Sequence, residues 1–86
     1  MIAKVYYLVG TACMDYVEYL GGYNVYIFPS RIFSADEEPQ AKREYERLAK
    51  RNFEDISGYA EAYMVKIIGE DKTVVYGNKA KIEPYI

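Results

Sequence analysis

The pattern of apolar and polar residues divides the chain into two kinds of segment. Over residues 36–53, DEEPQAKREYERLAKRNF, apolar positions recur every three or four residues. This spacing is typical of one face of an α-helix. On both sides of this segment, β-branched and aromatic residues dominate, which favours β-strands. The pattern therefore predicts one helix placed between two groups of strands.

Two residues are able to cap the start of this helix. Ser34 and Glu37 form the S-x-x-E pattern of a capping box. A helix capped by Ser34 places Pro39 at its fifth position, where the missing N–H breaks a backbone hydrogen bond. With Asp36 as the cap, Pro39 falls in the first turn, where N–H groups have no helical partner. We therefore favour Asp36, with Ser34 capping a short turn before it, and expect the helix to end within 52–55.

Five segments are predicted as strands because β-branched and aromatic residues are frequent in them. They are residues 2–9, 12–20, 23–28, 59–68 and 73–76. The segment 12–20 also fits a helix that Thr11 caps and Gly21 ends. We favour the strand, because Gly21 and Gly22 then form a two-residue hairpin loop to the next strand.

Turn residues and proline complete the predicted fold. Gly10 and Thr11 predict a turn, and Pro29 is expected to end a strand because it cannot donate to the ladder. Residues 79–86, KAKIEPYI, are expected to extend an edge strand that Pro84 blunts. The prediction is a single α+β domain over 1–86 with the order β-β-β-α-β-β. Its mainly antiparallel sheet of about five strands has the helix on one face and leaves the other face open.

Composition narrows the possible chemistry. The chain has no histidine and one cysteine, Cys13, so common hydrolase and zinc constellations cannot be built, and no internal disulfide is possible. The carboxylates Asp15 and Glu18 suggest an acid/base pair only weakly, because so small a domain predicts no deep cleft. The acidic runs 36–38 and 70–71 lack the alternating spacing of a calcium loop. We predict no enzyme, metal site or cofactor.

The net charge of −2 also limits the choice of partner. It is too weak for a strongly acidic DNA mimic and has the wrong sign for a general nucleic-acid binder. No signal peptide and no run of transmembrane length is apparent in the sequence, so a cytosolic setting is expected, in a cell or an infected host.

Tyrosine supplies most of the aromatic bulk, with 11 Tyr against three Phe and no Trp. A tyrosine has an apolar ring and a polar tip, so it suits a half-exposed sheet face and is frequent at protein interfaces. The expected open face is therefore predicted to bind a partner. The predicted binding residues are Tyr6, Tyr16, Glu18, Tyr26, Tyr63 and Tyr76.

A basic cluster on the helix offers a second candidate surface. It comprises Lys42, Arg43, Arg47, Lys50 and Arg51. These side chains are able to contact phosphates, but residues 36–55 hold seven acidic residues against these five basic ones. The cluster is therefore interpreted mainly as a solvated helix face.

The layout as a whole resembles a group of known proteins. The residues that carry the resemblance are the loop Phe28–Ser30, the helix core Ala41–Leu48 and the closing hairpin 63–77, YMVKIIGEDKTVVYG. With them, the chain resembles small orphan proteins of phages and mobile elements, some of which are anti-CRISPR or other anti-defence inhibitors. The resemblance implies a stoichiometric inhibitor that covers a site on a host nucleic-acid-processing complex, and it assigns no site residue.

The predicted function is therefore binding of a protein partner without catalysis. Two alternatives remain open. One is a module that binds single-stranded nucleic acid by stacking bases on surface tyrosines. The other is a structural subunit that forms a homodimer through an open sheet face or an exposed edge strand.

Overall fold

The computed structural model of the protein describes residues 4–50 and 59–86. Over these ranges the chain has an α+β fold, as predicted, built on one antiparallel sheet in the order β2-β1-β3-β4. The main elements are β1 (Val5–Val17), β2 (Gly22–Ser34), α1 (Glu38–Ala49), β3 (Tyr59–Ile68), β4 (Asp71–Tyr76) and α2 (Lys79–Ile82). The described part thus contains four strands and two helices, where about five strands and one helix were predicted.

The first two predicted strands are one continuous strand, β1. The turn predicted at Gly10 and Thr11 does not form, and both residues pair with β2 on one side and β3 on the other. Gly10 lies in the ladder because Tyr63 occupies the space above it: a Cβ on Gly10 would lie 2.7 Å from Tyr63 Oη. The glycine therefore provides a close approach inside the sheet.

The connection from β1 to β2 differs from the predicted two-residue loop. β1 ends at Val17, and a 3₁₀ turn over Glu18–Leu20 follows. Gly21 closes this turn at φ 65°, in the left-handed region that glycine adopts without strain. The segment 12–20 is therefore a strand for most of its length, as favoured, and turns only at its end.

Pro29 lies inside β2 instead of ending it. β2 is an edge strand of the sheet, where a missing N–H is tolerated. The register also shifts there: Gly10 faces Pro29 and Val9 faces Arg31, which leaves Ser30 as an extra residue in a bulge. An edge position and a bulge together accommodate the proline.

Helix α1 begins at Glu38, one residue later than a helix capped by Asp36 would begin. Ser34 and Glu37 form a capping box around a 3₁₀ turn over Ala35–Glu37, so Asp36 lies inside that turn. The Glu37 carboxylate accepts a hydrogen bond from the Ser34 N–H at 3.0 Å and lies 2.9 Å from Ser34 Oγ. Pro39 then falls in the first positions of α1, where the helix does not need the N–H that proline lacks. The predicted extension of the helix beyond residue 50 lies outside the described residues.

Two hydrophobic clusters hold the layers together. On the first face of the sheet, Ala41 and Leu48 of α1 pack on Tyr7, Val9 and Met64. On the second face, another cluster forms around Ile82 of α2. Its sheet members are Ala12, Met14, Tyr63, Val65, Ile67 and Val74. The core is thus split by the sheet into two thin layers.

The C-terminal residues fold back across the second face, so the predicted edge strand there is wrong. Gly77, at φ 119°, turns the chain out of β4. The Asn78 N–H donates to Glu61 Oε1 on β3 at 2.6 Å, and the Asn78 side chain accepts from the Lys81 N–H at 3.2 Å. These bonds fix the start of α2, which buries Ile82 against the sheet. Part of the face that was expected to be open is therefore covered.

Candidate binding surface

The structure does not bring the predicted binding tyrosines together on one face. Tyr6 and Tyr16 lie on the second face of β1, whereas Tyr26 pairs with Cys13 and faces the first. Successive residues of a strand point to opposite faces, so the face of each tyrosine depends on the pairing register. Tyr16 and Tyr26 are exposed and Tyr6 is half-buried. Glu18 is exposed in the turn after β1.

Tyr63 and Tyr76 belong to the interior instead. Tyr63 is fully buried, and burial raises the pKa of its hydroxyl to about 12. The ring of Tyr76 stacks on that of Tyr45 beneath α1, with centroids 5.0 Å apart. The expectation that either residue lies on an open face is therefore corrected: both contribute to packing.

The exposed apolar side chains concentrate in the outer part of the β1–β2 hairpin, residues 11–28, which we call the arm. Its five large exposed members are Tyr16, Tyr19, Leu20, Tyr26 and Phe28. Tyr19 is 88% exposed and Leu20 64%, both in the turn at the tip. Exposed apolar side chains concentrated in one region mark contact sites more often than singly scattered ones do, so the arm is the leading candidate for a contact surface.

The arm extends past the rest of the sheet. Pairing between β1 and β3 ends at Met14, so 15–17 and 22–24 pair only with each other in the described sheet. Helix α1 packs on the opposite, inner part of the hairpin, against Tyr7, Val9 and Phe33. The molecule is accordingly elongated, with principal dimensions of 47 × 27 × 15 Å. Among the described residues, the tip of the arm therefore forms a projection.

Sequence reasoning missed Tyr19, Leu20 and Phe28. Tyr19 and Leu20 were assigned to a strand, yet they immediately precede the glycine pair 21–22. Large apolar residues next to a hairpin turn are a signal for an exposed contact site, because a turn offers them no core. Phe28 gave no comparable signal, since its exposure depends on how far α1 covers the first face.

A shallow apolar groove lies on the second face beside the C-terminal residues. It has a volume of about 370 Å³, and its lining includes Tyr6, Leu8, Ile27, Ile32, Tyr85 and Ile86. Lys72 is the charged residue in the lining. The lining combines aliphatic side chains with the tyrosines Tyr6 and Tyr85, but it brings together no acid/base pair.

The basic cluster of α1 is solvated and partly neutralised. Lys42, Arg43, Arg47 and Lys50 are exposed, and Arg51 lies outside the described residues. Arg47 forms an ion pair with Glu44, whose pKa is lowered mainly by the hydrogen bond from Arg47. Lys42 Nζ lies 5.9 Å from the centroid of the Tyr76 ring. The cluster therefore presents alternating charges.

Within 4–50 and 59–86, no three His, Cys, Asp or Glu side chains converge in a way that suits a metal ion. Cys13 is a free, half-buried thiol on the first face. The described helices are all too short or too polar to cross a membrane.

Comparisons with protein-family models, curated proteins and solved structures find no match to this chain. The geometry of the arm is therefore the basis for assigning a function.

Proposed function

We propose that this chain is a small non-enzymatic binding protein that contacts a protein partner through the arm. The main support for this proposal is that five of the nine large exposed apolar side chains found among the described residues belong to the arm. Aromatic residues that enter a partner's pocket often dominate binding energy. Tyr19 and Leu20 at the projecting tip are the proposed anchors, flanked by Tyr16, Tyr26 and Glu18.

The narrower proposal concerns the partner. The resemblance to small phage and mobile-element proteins supports a nucleic-acid-processing or defence complex of a host cell, with the chain acting as an anti-CRISPR-like inhibitor in the host cytosol. A projecting hairpin suits this role because it inserts into a groove without displacing the rest of the inhibitor. The partner would then be blocked by occupancy, without chemistry.

Affinity capture with matched variants tests the proposal. The tagged protein is compared with the double variant Tyr19→Ala, Leu20→Ala and with Tyr85→Ala, an exposed tyrosine outside the arm. We expect the double variant to lose at least about 2 kcal/mol of binding free energy, or roughly thirtyfold in affinity for the captured partner. The Tyr85→Ala control should retain it.

Circular dichroism of each variant separates a lost contact from a lost fold. If the double variant folds and captures the same protein as strongly as the control, the arm is not the contact surface. The narrower proposal is tested on the captured complex: its nuclease or DNA-binding activity should fall in proportion to the amount of this chain added.

A further inference from the structure

The outer edge of β2 is the longest free edge of the sheet. β2 has 13 residues and lies at the end of the strand order, and no strand in the described part of the chain pairs with its outer side. An edge of this kind carries backbone N–H and C=O groups that are able to pair with another strand. Natural proteins protect such edges with charges, proline or bulges.

The protection of β2 is confined to one end. Pro29 and the bulge at Ser30 interrupt the strand, and Arg31 follows them. Between the tip turn and the proline, Gly22–Phe28 forms an uninterrupted run of seven residues without a charged side chain. Val25 is the middle residue of this run. An antiparallel copy of the same run would therefore align fully when the two Val25 residues face each other.

Charges on either side of this run are arranged in a self-complementary way. Glu18 precedes and Arg31 follows a stretch of twelve uncharged residues, 19–30. In an antiparallel pair centred on Val25, residues at equal distances from Val25 face each other. The Phe28 end of each run then lies beside the Gly22 end of the other, so Arg31, which follows the bulge, is brought to the same end of the joined strands as the tip turn of the second copy, which contains Glu18. The symmetry repeats this arrangement, so two attractive pairs flank the joined strands.

We propose that two copies of this chain associate through Gly22–Phe28 of β2, joined antiparallel about a two-fold axis at Val25. The product is a continuous eight-stranded sheet in which the two α1 helices lie on the same side. Two-fold symmetry relates each residue pair of an antiparallel ladder to a second pair of the same hydrogen-bonding type, whereas neighbouring pairs alternate in type. The axis must therefore pass between a residue and its own copy, which here is Val25.

Side chains near the edge add to the interface. Tyr26 and Phe28 project from the first face of β2, 48% and 53% exposed, and face Asn24 and Gly22 of the second copy in this pairing. The small partner residues leave room for the two rings. Arg31 is exposed, with its guanidinium carbon 5.0 Å from the Phe33 ring centroid. Glu37 and Glu44 of the same chain also lie within range of its charge, so the Glu18–Arg31 attraction is shared.

Charge reversal tests the arrangement with the purified full chain alone. The molar mass is measured by sedimentation equilibrium over a dilution series, where association raises it from 10.0 kDa towards twice that value. We expect Glu18→Arg and Arg31→Glu each to weaken association about tenfold, since each replaces two attractive pairs by two repulsive ones. The double variant should regain the wild-type affinity. Glu70→Arg, in the β3–β4 turn, is the control and should leave it unchanged.

Mixing the two single variants gives a second, independent readout. One variant carries two positive charges at these sites and the other two negative charges, so an equimolar mixture should form heterodimers more strongly than either variant forms homodimers. A wild-type chain that stays monomeric at every concentration overturns the proposal. The proposal is also overturned if Glu18→Arg, Arg31→Glu and the double variant all associate as strongly as the wild type, because the interface then lies elsewhere. The two proposals share Glu18 and Tyr26 but are tested separately, because association is measured with the purified chain alone and the proposed function is measured with a captured partner.

Discussion

At the scale of single residues, Gly10 decides how closely the strands and the second-face core pack. Its position in β1 is fully enclosed, and the side chain of Tyr63 on β3 crosses it. The same glycine was expected to make a turn. The difference arises because a glycine signals either a turn or a close approach, and only the position of Tyr63 distinguishes them.

Replacing Gly10 by alanine is expected to destabilise the fold by about 2 kcal/mol, as overpacking of a filled site does. The new Cβ would collide with the Phe28 carbonyl oxygen and lie 2.9 Å from Tyr63 Cζ. Gly22→Ala is the matched control, since a Cβ there meets no atom within 4 Å. Chemical denaturation measures both. Equal stability of the two variants would show that the backbone at Gly10 relaxes freely.

Because of the buried Tyr63 hydroxyl, we expect the folded protein to lose stability at high pH. This hydroxyl has no hydrogen-bond partner, and burial raises its pKa from 10.0 to about 12. The folded state therefore holds the proton more tightly than the unfolded chain, so this contribution is fully present below pH 10 and is lost as pH rises towards 12.

The variant Tyr63→Phe isolates that effect. We expect its free energy of unfolding to fall less steeply above pH 10 than that of the wild type. At neutral pH it should be equally stable or up to about 1 kcal/mol more stable, because an unsatisfied buried hydroxyl is removed. Urea titrations at several pH values provide the measurement. Parallel pH profiles for the two proteins would argue against a buried, unionised Tyr63.

At the scale of elements, the C-terminal residues show how a short segment finds its structure. α2 has only four residues, too few to be stable alone. It forms because Gly77 redirects the chain, Asn78 caps the first turn, and Ile82 fills a space on the second face. The segment thus supplies the second covering layer of the sheet.

Truncation of Ile82 to alanine is expected to cost about 3 kcal/mol, within the range for fully buried aliphatic side chains. Ile68→Ala is the control: this residue is 42% exposed and should cost well under half as much. Thermal unfolding followed by circular dichroism compares them. If the two variants unfold at the same temperature, the C-terminal segment does not stabilise the sheet.

At the scale of the whole molecule, shape and charge favour a protein partner over nucleic acid. The net charge is −2, and the basic residues of α1 alternate with acidic ones such as Glu44 and Glu46. The exposed tyrosines of the arm point to both faces instead of forming one stacking platform. Binding of single strands needs both a positive groove and aligned aromatic rings.

We therefore expect no measurable binding to single-stranded oligonucleotides at low salt. Fluorescence anisotropy with labelled oligonucleotides of mixed sequence is the measurement. A basic single-strand-binding protein serves as the positive control. Affinity that weakens steeply with added salt would instead support the nucleic-acid alternative, because phosphate contacts release counterions.

Local sequence information determined much of this protein. The α+β class, the helix that contains Ala41, Tyr45 and Leu48, and the strand at 59–68 follow from spacings of two to four residues. Such short-range patterns act before any tertiary contact forms. The capping box of Ser34 and Glu37 is equally local and was visible in the sequence.

Only the tertiary structure decided which features are exposed. Pro29 stays in β2 because that strand is at the edge, Gly10 stays in β1 because Tyr63 covers it, and Ile82 is buried because the second face needs a cover. The tyrosines were divided between core and surface by the register of strands far apart in sequence. The physical reason is that burial depends on long-range packing, which no local pattern encodes.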